Sequence, residues 1–411
     1  MTEDIESPYD GLRPLPRIAI EAFCVRPETG LALQRAAADR RLSKAQMTVR
    51  MGTIAEAASH FAQSQTPNLV IVESGAAGRD LLGELEALAQ VCDAGTKVVV
   101  CGPVNDVALY RELLRQGVSE YLVAPFSPVQ AIEAMSALYA SPDSPPVGRL
   151  VAVVGAKGGT GASTIAHNVA WITAEEMGIA TLLVDLDIAF GTAGLDFNQD
   201  PTQGIADALS SPDRLDDVLL ERLLVRLGAK LQLLAAPATL DRDWDLAPEA
   251  VDTVLDAARA NAPMIVADLP HLWTPWAKRV LVQADEIVVV ATPDLASLRN
   301  TKALLDALAP ERPHDRPARL VLNGTGLAKR PEIPMKEFAA ALGRPPESVI
   351  AHDARLFGAA ANAAQMIVQA APKHAASETL RQLARAVSGR QAAQDAKKPA
   401  SVLSFLMKKA G

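Results

Sequence analysis

The residues best suited to chemistry crowd into 155–164, where GAKGGTGAST sets four glycines, a lysine and three hydroxyls in ten positions. Gly155, Gly158, Gly159 and Gly161 let the backbone turn tightly and meet an oxyanion with no Cβ in the way, so that main-chain N–H groups point inward. The apolar run Leu150–Val154 precedes the glycines, and a helix is expected from Ser163–Thr164 onward. The positive end of that helix favours bound anions. Ser163 stands where a hydroxyl ligates Mg²⁺ in a strand–GxxxxGx[ST]–helix arrangement, and Thr160 and Thr164 complete the polar lining. Such a pattern carries a lysine just before the Ser/Thr; Ala162 occupies that place, and the lysine comes earlier, as Lys157. The chemistry indicated is the binding of a nucleoside triphosphate. A glycine-rich turn without a ligand is the bland alternative, and the flanking strand, helix, lysine and hydroxyls weigh against it.

Other candidates sit at the ends of apolar runs. Asp185 and Asp187 close LLVDLD, Asp268 closes MIVADLP, and Asn323 closes LVLNG. Carboxylates beyond the C-terminal edge of parallel strands face the ligand crevice of a doubly wound sheet. Asp185 and Asp187 also suit helix-capping or loop roles, and Asn323 precedes a glycine in a turn dipeptide.

The elements that must position these groups alternate regularly. From Arg17, the runs Ile18–Val25, Met47–Met51, Asn68–Val72, Lys97–Cys101 and Tyr121–Val123 read as strands, with helices near 31–42, 53–63, 79–91, 105–116 and 128–139. Five β–α units in about 125 residues imply a parallel sheet covered on both faces, of flavodoxin-like or receiver-like count. SPDSPPVGR at 141–149 reads as a linker. A second alternation follows, with strands Leu150–Val154, Ala180–Asp185, Leu231–Ala235, Met264–Asp268, Glu286–Ala291, Arg319–Asn323 and Ser348–Ala351. Ile165, Val169 and Ile172 mark one buried helix face. The expected organisation is a flexible arm at 1–16, a receiver-like domain at 17–140, a linker at 141–149, a nucleotide-binding domain at 150–388 and a polar spacer with a short tail at 389–411.

The loop KGGTGAST resembles the deviant Walker A motif of the MinD/ParA class of ATPases. ASTIAHN, LDFNQDPTQGIADAL at 195–209 and DLPHLW at 268–273 resemble, within that class, the CpaE/TadZ family of Flp/Tad type IV pilus assembly. The resemblance covers about 17–390 and is more specific in the second domain. It implies an α/β chain of two doubly wound domains: an N-terminal flavodoxin/receiver-like (βα)5 domain and a C-terminal P-loop NTPase of the MinD/ParA (SIMIBI) type, with a mostly parallel seven- to eight-stranded sheet.

It also implies ATP and Mg²⁺ as cofactors. Lys157 would reach phosphates, often across a homodimer; Asp187 would help place the attacking water; Asp185 and Asp268 would support the Mg²⁺ shell with Ser163; Asn323 would contact adenine. Residues 291–294, Ala-Thr-Pro-Asp, match a short loop near the base and phosphates. Ala162 departs from relatives that keep two lysines and puts hydrolysis in doubt, since positioned positive charge is much of phosphoryl-transfer catalysis. The resemblance also implies an atypical receiver in the first domain. Glu73 stands where a working receiver carries its phosphorylatable aspartate, Glu21 ends the first strand region, and Ala124 stands before Pro125 in place of a lysine. A docking or dimerisation module follows from this, rather than a phosphorylation switch.

Composition narrows the function further. The net charge of −8 argues against coating nucleic acid. Cys24, Cys92 and Cys101 show no metal spacing, and the six histidines read as ordinary surface or core residues. An acidic, proline-containing N-terminus without a long apolar run points to a cytoplasmic chain; the resemblance implies a place at the cell pole or peripheral to the inner membrane. In the tail, Val402, Leu403, Phe405, Leu406 and Met407 lie between lysine pairs; they read as a weak membrane contact or as a segment that is disordered or packs on a partner. The expected partners are a second copy and pilus assembly and secretion proteins. A MinD/ParA-like ATPase positioning other cargo on nucleoid DNA or membrane is the alternative.

Overall fold

The computed structural model describes residues 12, 14–76, 78–140, 147–237, 240 and 244–389. The apolar tail, residues 1–11 of the arm and residues 141–146 of the linker lie outside them. The chain divides into two compact units: residues 1–144 with 311–315, and 145–310 with 316–411.

The first unit alternates β1 (Ala19–Cys24), α1 (Pro27–Ala37), β2 (Gln46–Met51), α2 (Ile54–Phe61), β3 (Leu69–Glu73), α3 (Arg79–Ala89), β4 (Lys97–Gly102), α4 (Val107–Arg115), β5 (Glu120–Val123) and α5 (Pro128–Tyr139). All strand pairings are parallel, in the order β2-β1-β3-β4-β5, the doubly wound order of a flavodoxin-like sheet. Successive strand residues serve opposite faces. Ile20, Leu69, Ile71 and Val99 join one core cluster with Leu33 of α1 and Ile132 of α5, while Val70, Val72 and Val100 join another with Leu81 of α3 and Leu113 of α4.

Two expectations shift here. The first helix begins at Pro27 rather than near 31, because proline at the first helical position presets φ and lacks only an N–H that would have no partner. The arm expected to be flexible to residue 16 is anchored at its end. Leu15 is buried and donates its N–H to Arg41 O at 2.8 Å, with Leu12 packed on the same core.

Glu73 ends β3 almost wholly buried. Its carboxylate accepts the N–H groups of Val25 and Arg26, both at 2.9 Å, the Thr29 hydroxyl at 2.7 Å and the Arg26 guanidinium. It thereby fastens the turn between β1 and α1. Burial alone would raise its pKa, but these donors hold it below the usual range.

The second unit contains an eight-stranded sheet in the order β13-β12-β11-β6-β10-β7-β9-β8. The strands are β6 (Arg149–Gly155), β7 (Thr181–Asp185), β8 (Val225–Arg226), β9 (Leu231–Leu234), β10 (Met264–Leu269), β11 (Glu286–Ala291), β12 (Arg319–Thr325) and β13 (Ser348–Ala351). Every pairing is parallel except that of β8 with β9, a two-residue edge too short to show an alternation in sequence. The helix α6 (Ala162–Trp171) follows β6 and runs into a π turn, Ile172–Glu176. With α16 (Ala375–Val387) it covers the face bearing Val151, Val153, Leu183, Val266 and Val288. The helices α10 (Pro248–Asn261), α11 (Pro275–Gln283) and α12 (Leu295–Leu308) cover the face bearing Leu150, Ala152, Leu182, Ala267 and Val289. Asp185 and Asp268 pair across β7 and β10, and by the two-residue period both belong to the α6 face.

Candidate functional site: a braced phosphate loop

The loop from Gly155 to Gly161 joins β6 to α6, and its path requires glycine. Gly159 and Gly161 have φ of +77° and +84°, and a Cβ on Gly161 would lie 2.6 Å from Asn323 Nδ2. A Cβ on Gly155 would meet Thr160 Oγ1 at 2.5 Å and Lys157 O at 2.8 Å. Four later residues tie the loop down. His271, just after β10, places Nδ1 2.9 Å from Gly155 O, so this nitrogen carries the proton. Asn300 on α12 donates to Ala156 O at 2.9 Å, and Asn323 at the end of β12 donates to Thr160 O at 2.8 Å. Lys157 Nζ pairs with Asp294 Oδ2 at 3.2 Å. Each tie engages a carbonyl or the lysine, so none competes with an anion for the loop's N–H groups.

Ser163 and Thr164 occupy the first turn of α6, half-buried, behind Ala162. Gly158 lies in open space. Thr160 is buried, and its hydroxyl has no hydrogen-bond partner.

The carboxylates behind the loop differ from one another. Asp185 is fully buried; its oxygens accept the N–H groups of Asp187 at 3.2 Å and Ala193 at 3.1 Å. Burial, and then the charge of Asp268, push its pKa up to about 7. Asp187 is half-buried and accepts Phe190 N–H at 3.1 Å; burial also raises its pKa. Both behave as loop aspartates, fastening 186–193. Asp187 borders a cleft of 490 Å³ lined also by Trp244, Pro270, Leu272 and Trp276.

Asp268 is the exception. It is buried, yet neither carboxylate oxygen accepts a hydrogen bond. The nearest positive group is His167 of α6, whose Nε2 lies 3.3 Å from Oδ2, close enough for an ion pair but without hydrogen-bond alignment. His167 Nδ1 lies 2.7 Å from Asp196 Oδ2 on the short helix α7 (Ala193–Asp196). Burial opposes the imidazolium, but Asp196 and Asp268 outweigh it and push its pKa up to about 10. That imidazolium compensates the charge of Asp268, yet no hydrogen bond occupies its carboxylate oxygens. Asp268 therefore has oxygens to offer a cation or its water shell, and the residues fit Mg²⁺. Among the described residues no group of three His, Cys, Asp or Glu could hold a metal alone; Mg²⁺ bound through one carboxylate, a hydroxyl and substrate phosphates requires no such group.

Sequence reading missed His167, His271, Asn300 and Asp196. The reading of the histidines as surface or core residues did not reach their roles: His271, exposed, braces the phosphate loop, and His167, in the core, bridges two carboxylates. The available signal was the polar pair His167–Asn168 inside an otherwise apolar helix directly behind the glycines.

The pilus assembly protein CpaE of Caulobacter crescentus is 53% identical to this chain, over 31% of it and 98% of the solved chain, with a TM-score of 0.31. A ParA-family ATPase of Chlorobium tepidum is 30% identical over 58% of this chain and 98% of its own, with a TM-score of 0.53. The chain belongs to the CpaE/MinD–ParA-like family. The septum site-determining protein MinD of Pyrococcus horikoshii, solved with Mg-ADP, shares the MinD/ParA fold at 20% identity, over 60% of this chain and 98% of that one, with a TM-score of 0.51. Curated relatives, among them Escherichia coli MinD at 29% identity over 163 residues, are matched over only 46–59% of their length. No family model matches the chain.

Ala162 packs as the first residue of α6 against its apolar face, so no positive charge arises at that position.

Proposed function

We propose that this chain binds ATP with Mg²⁺ at 155–164 and serves as a MinD/ParA-like assembly and localisation factor for Flp/Tad pilus biogenesis, with weak or absent hydrolysis. The observation that carries the nucleotide reading is a loop held open at its carbonyls beside Asp268, a buried carboxylate without a hydrogen-bond donor. Gly155, Gly158, Gly159, Thr160, Gly161, Ala162, Ser163 and Thr164 would hold phosphates through main-chain N–H groups and hydroxyls. Ser163 and Asp268 would hold Mg²⁺, Asp187 would orient water, and Asn323 would border the base. Asp185 enters mainly by fastening the 186–193 loop. Bound Mg²⁺ supplies charge neutralisation at the β/γ-phosphates. Lys157 is the loop's own positive charge, and in a dimer it would serve the second copy.

The identity with Caulobacter CpaE supports the pilus reading, and the Mg-ADP held by the archaeal MinD supports the cofactors. Glu73, engaged by donors from the β1–α1 turn, supports a first unit that docks or dimerises without an acyl phosphate. No described helix is long and apolar enough to cross a membrane; placement in the cytoplasm, at a pole or against the inner membrane belongs to this proposal, as does any contact made by the tail. Calorimetric titration with Mg-ATP, with mass measured by light scattering before and after, tests it. Saturable heat and a doubled mass are expected; no heat with any adenine or guanine nucleotide ends the reading. Acetyl phosphate is expected to leave the first unit unlabelled.

A further inference from the structure

His167 is a fully buried imidazole that touches two carboxylates from different parts of the second unit. One, Asp268, ends the central strand β10 beside the phosphate loop. The other, Asp196, ends α7, with the Phe197 ring 5.9 Å from the imidazole. The segment leading to α7 is fastened at two more points, because Asp185 accepts the N–H groups of both Asp187 and Ala193. Between and beside these anchors, Phe190 and Leu195 are each 73% exposed, large apolar side chains on a surface segment. The imidazole thus joins the site's one carboxylate without a hydrogen-bond donor to the helix that carries Leu195.

In a fully buried imidazole both ring nitrogens call for a partner. This one reaches Asp196 at 2.7 Å and Asp268 at 3.3 Å, and the longer contact is to the carboxylate that a cation would share. Any charge placed against Asp268 changes the balance at Nε2, and the ring can answer only through its bond to Asp196. Coupling between two sites of this kind is reciprocal: what alters α7 must alter affinity at Asp268 by the same factor.

We propose that His167 is a positioning residue that links Asp268 to Asp196, so that a magnesium-bound nucleotide fixes the α7 segment and the exposed apolar side chains on it. The link rests on the nucleotide reading above. It adds a route by which the occupied loop is sensed at a surface remote in sequence from Lys157.

The test uses the full chain, ADP with Mg²⁺ and ADP with EDTA. Affinity is measured by calorimetry, and protection of residues 186–197 by hydrogen exchange. In the parent, Mg-ADP is expected to bind more tightly than ADP alone and to protect 186–197. Asp196→Asn, at a partly exposed position, is expected to keep metal-free ADP affinity, to lose about tenfold of the magnesium-dependent gain and to lose the change in protection. His167→Gln keeps a donor toward Asp268, and His167→Asn keeps one toward Asp196; each is expected to fail in the same way, since both contacts are required. Recovery of the magnesium gain and of protection by His167→Gln would reduce the residue to orienting Asp268 and overturn the link. So would an Asp196→Asn protein that behaves as the parent. A parent that binds no nucleotide removes the nucleotide reading and this inference with it, whereas a nucleotide-binding parent matched by its Asp196→Asn variant removes this inference alone.

Discussion

Lys157 Nζ lies 3.2 Å from Asp294 Oδ2, so the phosphate-loop lysine is paired within its own chain. Both side chains are about one-third exposed, at 37% and 28%, and such pairs contribute about 0–1 kcal/mol. Asp294 also accepts Thr292 Oγ1–H and Ser297 N–H. Burial raises its pKa, but these donors and the lysine bring it below the usual value. In the proposed dimer, Lys157 would leave this pair for a second copy's phosphates.

The proposed dimer thus depends on Lys157 leaving Asp294 for the second copy. Lys157→Ala is expected to lower the Mg-ATP-dependent dimer population. Asp294→Asn, which keeps an oxygen to cap α12, is expected to raise it roughly threefold at fixed ATP, the scale of an exposed pair. Sedimentation velocity checks both, and an Asp294→Asn protein that dimerises less than the parent contradicts this dependence.

A positive charge placed at the start of α6 tests the proposed low turnover. Ala162→Lys is expected to raise phosphate release by at least about tenfold, since one positioned donor in phosphoryl or acyl transfer is worth that much or more. Unchanged release would show that some other feature limits hydrolysis.

Gly161→Ala is expected to destabilise the second unit by about 1–2 kcal/mol, the cost of a left-handed conformation for an L-residue, and to weaken Mg-ATP binding as Asn323 is displaced. Urea unfolding followed by tryptophan emission reads this unit alone, because Trp171, Trp244, Trp273 and Trp276 all belong to it. An unchanged midpoint would mean that the loop relaxes around the methyl group.

Glu73 makes the first unit acid-sensitive. Its folded pKa lies below the unfolded reference of 4.5, so its stabilisation is present above that value and is lost as pH falls through the folded one. Glu73→Gln is expected to lower stability at neutral pH and to flatten its decline in acid. Labelling of the buried thiols Cys24 and Cys101 with an acid-active disulfide reagent, at graded urea, isolates this unit. Parallel pH profiles for variant and parent would remove Glu73 as the cause.

What sequence made legible was local. The glycines, the apolar run before them and the alternation of short strands and helices identify two doubly wound sheets, because each signal falls within a dozen residues. The ties on the phosphate loop were not legible: His271, Asn300 and Asn323 reach it only once parallel strands lie side by side. Asn323 stood open between a turn residue and a base contact. The structure shows Oδ1 accepting Gly324 N–H while Nδ2 holds Thr160 O, so it serves the turn and the loop at once. Asp185 and Asp187 likewise show the loop-fastening geometry that their position at a strand end left open.

The three carbonyl ties span 116, 144 and 163 residues of chain. During synthesis, Gly155–Gly161 would leave the ribosome long before any of its braces exists, and the last of them arrives only with Asn323. A nascent chain stalled short of that residue would carry every glycine of the pocket and still lack its completed shape. Competence to hold a ligand is thus deferred until translation of the sheet is almost finished.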